Sequence, residues 1–178
     1  MAKGSLKTGP SQESRLPHPK RQPLNKVLFL DIDGVLFLGL SSCSGLYNSD
    51  PLNKECVRGL NEIIEKTGCS IVITSSWQNE YTLEQLQEIF AWNGIRKVSI
   101  SLSVADARSL ASHGRRAQEI LDWLSAEANT SRTESPDFRW CVVDDMDLGE
   151  LPNFVKCDPN IGLKDHALVL DVVETLNS

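Results

Sequence analysis

Two periodicities alternate along the chain. Val27 to Leu30 is apolar at every position, and Ser70 to Thr74, Val98 to Leu102, Trp140 to Val143 and Phe154 to Cys157 are further short runs rich in strand-forming residues. Between them the spacing becomes helical. Asn53 to Lys66 sets Val57, Leu60, Ile63 and Ile64 on one face, with Gly68 as a stop. Thr82 to Trp92 opens with Thr82 and Gln85 at capping-box spacing, gathers Leu83, Leu86, Ile89 and Phe90, and stops near Gly94. Arg115 to Glu127 carries Ile120, Leu121 and Leu124, and Asp165 to Leu176 carries Leu168, Val169, Val172, Val173 and Leu176. The expected order is strand, helix, strand, helix, strand, helix, strand, strand, helix.

Strands that are apolar on both faces and separated by amphipathic helices predict an α/β fold, a parallel sheet covered on each side. In such folds ligands bind beyond the carboxyl ends of the strands, near the point where the strand order reverses. The residues that follow each strand are therefore the ones to read for chemistry. Asn129 to Asp137 is polar and reads as a surface loop.

Composition adds boundaries. The chain has 178 residues, 40% hydrophobic, which suits one domain. Residues 1–25, with Pro10, Pro17, Pro19 and Pro23, read as a flexible basic tail, and 26–178 as the folded domain. The net charge of −6 divides into +5 over residues 1–26 and −11 over the rest. An acidic body argues against an extended nucleic-acid-binding surface. The longest apolar stretch, Val27 to Leu40, is broken by Asp31 and Asp33 and is too short to span a membrane. No secretory leader is visible, so a cytoplasmic, reducing location is expected. The five cysteines, Cys43, Cys56, Cys69, Cys141 and Cys157, contain no C-x-x-C pair and read as reduced, mostly buried thiols.

The strand ends hold the candidate chemistry. Asp31-Ile32-Asp33-Gly34 follows the first strand, and Asp144-Asp145, with Asp147 beyond, follows the fourth. Carboxylates this close repel each other in a low-dielectric setting unless a cation or proton intervenes. Two such pairs at one sheet edge suit Mg2+, a hard cation held by carboxylates, waters and phosphate. Thr74-Ser75-Ser76 follows the second strand and offers hydroxyls to phosphate oxygens, although alone it reads as an ordinary turn. Arg115 and Arg116 open the third helix and can bring a cation to the same edge. His18, His113 and His166 lack metal-ligand spacing and are expected at the surface.

These residues resemble a known family. LFLDIDGVL (Leu28 to Leu36), IVITSSW (Ile71 to Trp77) and VVDD (Val142 to Asp145) look like motifs one, two and four of the haloacid dehalogenase (HAD) superfamily of phosphohydrolases. Adding Arg116 followed by Glu119, Ile120, Trp123 and Leu124, and then Gly162-Leu163, the pattern is similar to the HAD domain of Swiss Army Knife RNA-repair proteins. The resemblance implies a three-layer α/β/α Rossmann-like sheet and a magnesium-dependent phosphatase. Asp31 would be the nucleophile that forms an aspartyl-phosphate, and Asp33 the general acid and base. Thr74 or Ser75 would bind phosphate, and Arg116 or Arg115 would supply the motif-three cation. Asp145 would bind Mg2+ with a carboxylate oxygen of Asp31 and the backbone carbonyl of Asp33, while Asp144 would be a ligand or a support. Asp33 favours phosphatase within the superfamily, since dehalogenases need no acid there and transport ATPases carry Thr.

The chain departs from the RNA-repair pattern at Gln78, where related domains often have Arg. No sizeable cap domain fits between the motifs, since Gly39 to Pro51 is short and Trp77 to Gly114 is largely taken by a core helix and strand. An open site implies a nucleic-acid end, a nucleotide or a phosphoprotein as substrate, or a small phosphoester screened by the Leu40 to Asn48 loop. Tyr47, Trp77 and Tyr81 read as core or rim aromatics, with base stacking as the alternative. Rival readings are a HAD-like binding or regulatory module without turnover, and phosphotransfer to an acceptor other than water. Oligomeric state is open.

Overall fold

A computed structural model describes residues 25–38, 52–96, 99–102, 113–128 and 137–178. Five strands, β1 (Lys26–Leu30), β2 (Ser70–Ile73), β3 (Ile100–Leu102), β4 (Arg139–Asp144) and β5 (Phe154–Lys156), form one sheet in the order β3-β2-β1-β4-β5. Every pairing is parallel. Chain order reverses at β1, which lies between β2 and β4, so the residues after β1 occupy the expected ligand position. The tail, the Leu40 to Asn48 loop with Tyr47, Cys43, Val98 and most of the polar Asn129 to Asp137 stretch lie outside the described residues.

Among the described residues four α-helices cover the sheet: α1 (Lys54–Thr67), α2 (Leu83–Trp92), α3 (His113–Ala128) and α4 (His166–Asn177). Alternate strand residues define the two faces. Leu28, Leu30, Ile71, Ile73, Cys141 and Val143 pack with the apolar faces of α1, α2 and α4. Val27, Phe29, Val72 and Val142 face the other way, onto Ile120 and Trp123 of α3. Phe29 makes edge contacts with Trp123 at 5.2 Å and Trp140 at 6.0 Å, so a single aromatic cluster seats α3. Leu121, expected in the buried stripe, is instead 40% exposed, because the inward arc of α3 runs through Ile120, Trp123 and Leu124.

The helix ends follow the sequence signals. Asn53 caps α1 by accepting from the Glu55 and Cys56 amides, and left-handed Gly68 ends it with its N–H on the Ile64 carbonyl. The Thr82/Gln85 capping box opens α2, and Asp165 caps α4. Cys56, Cys69, Cys141 and Cys157 are buried free thiols. Burial pushes the Cys141 and Cys157 thiols up to about 12, which keeps them protonated. His166 is exposed, 3.4 Å from Glu62. Among the described residues, no helix is long and apolar enough to cross a membrane.

Candidate active site

The site begins with the loop after β1. The Ile32 carbonyl accepts from the amides of Leu36 and Phe37, both at 2.9 Å, which winds Asp31 to Phe37 into a tight turn. Gly34 adopts φ +69, and a Cβ there would lie 2.5 Å from Asp145 Oδ2, so only glycine lets the turn come this close to Asp145. The turn is clamped from behind by Gly162 and Leu163: the Leu163 amide donates to the Val35 carbonyl at 3.1 Å.

Parallel pairing brings the strand ends together. Leu30 is paired with Ile73 on one side and Val143 on the other, so Asp31, Thr74 and Asp144 emerge side by side. The Asp31 amide donates to the Val143 carbonyl at 3.1 Å, and the Thr74 amide to the Leu30 carbonyl at 3.0 Å. Carboxylate oxygens of Asp31, Asp144 and Asp145 lie within 4.8 Å of one another. Arg116 reaches this cluster from α3, with Nη1 3.0 Å from Asp31 Oδ2 and 2.7 Å from Asp144 Oδ2. Asp144 is fully buried, and its other oxygen accepts from the Met146 amide at 2.8 Å. Both Asp144 oxygens are thus occupied, which suits it to support Arg116.

Three carboxylates against one guanidinium leave the cluster negative. Burial pushes Asp31 up to about 7; Arg116 pulls it back and Asp144 raises it further. Asp145 is also raised, first by burial and then by Asp144. Burial works against the charge of Arg116, but Asp31 and Asp144 outweigh it, and Arg116 stays ionised. This excess of buried oxygen donors fits a hard divalent cation. Asp33 is outside the close set of carboxylates: its Oδ1 accepts from Trp77 Nε1 at 3.0 Å and its Oδ2 from Ser76 Oγ at 3.3 Å.

Among the hydroxyls, Ser75 caps the 3-10 turn Ser76–Asn79 and hydrogen-bonds Asp31. Thr74 is fully buried, and its Oγ1 has no hydrogen-bond partner, although buried hydroxyls are nearly always satisfied. A model of the HAD domain in Swiss Army Knife RNA repair proteins matches residues 27–168. The chain belongs to this family. No curated protein and no solved structure matches it. The five-stranded parallel sheet and its helices accord with the Rossmann-like HAD fold.

In this HAD domain Asp31, Arg116, Asp144 and Asp145 converge, with Thr74 and Ser75 on the adjoining strand end. The guanidinium of Arg116 enters the cluster, and the side chain of Arg115, the alternative, lies outside what the structure describes. Trp77 is 5% exposed and packs on Phe37 and Tyr81, which makes it a core aromatic and not a stacking platform. Gln78 is buried in the same turn. Sequence reading missed the bond from Trp77 to Asp33, because indole donor and carboxylate acceptor lie 44 positions apart and meet only when β1 and β2 pair.

Proposed function

We propose that this HAD domain is a magnesium-dependent phosphomonoesterase that works through an aspartyl-phosphate on Asp31. The observation that carries the reading is the orphaned, fully buried Thr74 hydroxyl beside the buried Asp31 carboxylate: an unmade hydrogen bond of that kind costs about 1–3 kcal/mol unless a ligand completes it. A phosphate oxygen is a fitting partner, and Arg116 adds a charge that phosphate needs.

Mg2+ would be held by Asp145, Asp31 and the Asp33 backbone carbonyl, and would neutralise the phosphate so that a carboxylate can approach it. Asp31 attacks phosphorus as the bond to the leaving oxygen breaks, and Asp33 gives that oxygen its proton. Water then attacks the aspartyl-phosphate and returns a proton to Asp33, which regenerates the Asp31 carboxylate and releases phosphate. Arg116, braced by Asp144, restrains Asp31 throughout.

The substrate class proposed is a phosphorylated nucleic-acid end. It is supported by the description of the family as RNA repair and by the acidic body, which favours a grip on a terminal phosphate over contact along a backbone. Phosphate release from an aryl phosphate, with and without magnesium and beside Asp31→Asn, tests the chemistry. Turnover that survives the substitution removes Asp31 as nucleophile. Comparing 3′- and 5′-phosphorylated oligonucleotides with phosphopeptides tests the substrate class, and the absence of turnover on all of them favours a binding module.

A further inference from the structure

Asp33 is held differently from its acidic neighbours. Arg116 grips Asp31 and Asp144, whereas the Asp33 carboxylate is met at both oxygens by neutral donors from the turn after β2, Trp77 Nε1 at 3.0 Å and Ser76 Oγ at 3.3 Å. The indole is immobilised. Its ring is buried between Phe37, at 6.0 Å, and Tyr81, at 5.4 Å. Phe37 belongs to the Asp31 loop, where its carbonyl accepts from the Gly34 amide at 2.8 Å. One packed unit therefore holds both the donor and the loop that carries its acceptor.

Packing alone does not call for an indole here, because a phenyl ring would fill much of the same apolar space. What the indole adds is a single N–H that only donates and, when buried, needs an acceptor. Asp33 Oδ1 is that acceptor. The Ser76 hydroxyl, by contrast, can donate or accept, so Oδ2 can carry a proton or release it while Ser76 turns to follow. A carboxylic acid that protonates a leaving oxygen works best when that proton-bearing oxygen is held in one direction.

We propose that Trp77, assisted by Ser76, is a positioning residue that fixes the Asp33 carboxylate through the indole N–H, so that Oδ2 faces the leaving-group oxygen. This rests on the reading of Asp33 as the general acid given above. As the phosphorus–oxygen bond breaks, its electron pair goes to the leaving oxygen, which takes the proton from Asp33 Oδ2 and departs as an alcohol. The proton lost is replaced by the hydrolytic water.

The test is leaving-group dependence. kcat/KM is measured with magnesium for 2,4-dinitrophenyl, phenyl and benzyl phosphate in the wild-type chain, Trp77→Phe, Ser76→Ala and Asp31→Asn. Trp77→Phe should lower kcat/KM for benzyl phosphate about tenfold or more, part of the ~10²–10⁴ that a positioned acid supplies, and that for 2,4-dinitrophenyl phosphate by less than about threefold. The dinitrophenolate leaves without a proton, so a general loss of structure would not produce this difference. Ser76→Ala alters an exposed side chain and should give the same selectivity, to a smaller extent, even where Trp77→Phe folds poorly. In an Asp33→Ala background, Trp77→Phe should cost nothing further for any of the three esters. Equal losses across all leaving groups, or an undiminished loss without Asp33, overturn the positioning role while leaving the phosphatase reading intact. Wild-type turnover that does not depend on Asp31 overturns that reading and this proposal with it.

Discussion

Arg116 Nη1 stands 2.7 Å from Asp144 Oδ2, an ion pair that ties the first turn of α3 to the end of β4 with both side chains buried. With the 3.0 Å contact of the same nitrogen to Asp31 Oδ2, it joins the α3 layer to the ends of both β1 and β4. Charges taken out of water hold together only while both are present. Arg116→Ala leaves Asp31 and Asp144 facing each other without a counter-charge. It should destabilise the chain by about 3–5 kcal/mol in urea titrations without magnesium. Magnesium should recover part of that loss. A cost within experimental error would show that the pair carries no structural role.

Thr74→Val separates binding from folding. The Thr74 hydroxyl is fully buried and unpartnered, so replacing it with a methyl group of similar size removes an unsatisfied donor. Stability should hold or rise by about 1 kcal/mol, while kcat/KM on an aryl phosphate falls. A variant that loses stability and keeps activity would exclude Thr74 from phosphate binding.

Gly34→Ala places a Cβ 2.5 Å from Asp145 Oδ2 at a backbone φ of +69. The strained backbone should cost about 1–3 kcal/mol. Asp145 must also move, and magnesium affinity, read by isothermal titration, should fall about tenfold or more. Unchanged affinity would remove Asp145 from the cation site.

Gly162 and Gly68 share a left-handed backbone but not their surroundings. A Cβ on Gly162 would meet the Val35 carbonyl at 2.3 Å, whereas one on Gly68 would meet nothing within 4 Å. Gly68→Ala should cost about 1–2 kcal/mol of backbone strain alone. Gly162→Ala adds the collision and should cost about 1–3 kcal/mol more, measured by denaturation. Because Val35 lies in the Asp31 loop, only Gly162→Ala should also depress turnover.

The buried carboxylates give stability a pH dependence. Burial raises Asp31 to about 7, so the folded chain keeps a proton there that the unfolded chain gives up near pH 4. The stabilising contribution is complete below that lower value and is lost as pH rises through about 7. Without magnesium the Tm should fall between roughly pH 4 and pH 7 and level off above that, and Asp31→Asn should flatten the decline. Added magnesium should raise the Tm more at the alkaline end. A flat profile for the unaltered chain would contradict a carboxyl that burial holds above its ordinary range at Asp31.

The local patterns of the chain determine a great deal. Strands that turn apolar residues to both faces have to be covered on each side, which dictates parallel α/β layering, and Asn53, Gly68, Thr82, Gln85 and Asp165 mark helix ends through bonds to their own neighbours. Asp31, Asp144 and Asp145 announce themselves because acidic pairs at the ends of buried strands demand an explanation. The tertiary structure alone decided that Arg116 enters the cluster, that both Asp144 oxygens are occupied, that Thr74 is left unpartnered, and that Asp33 answers to Trp77. It also turned Leu121 outward on α3. The physical reason is common to all of these. Propensity and capping act over a few residues, whereas a side chain's partners are set by strands and helices tens of residues apart, once the sheet register has placed them side by side.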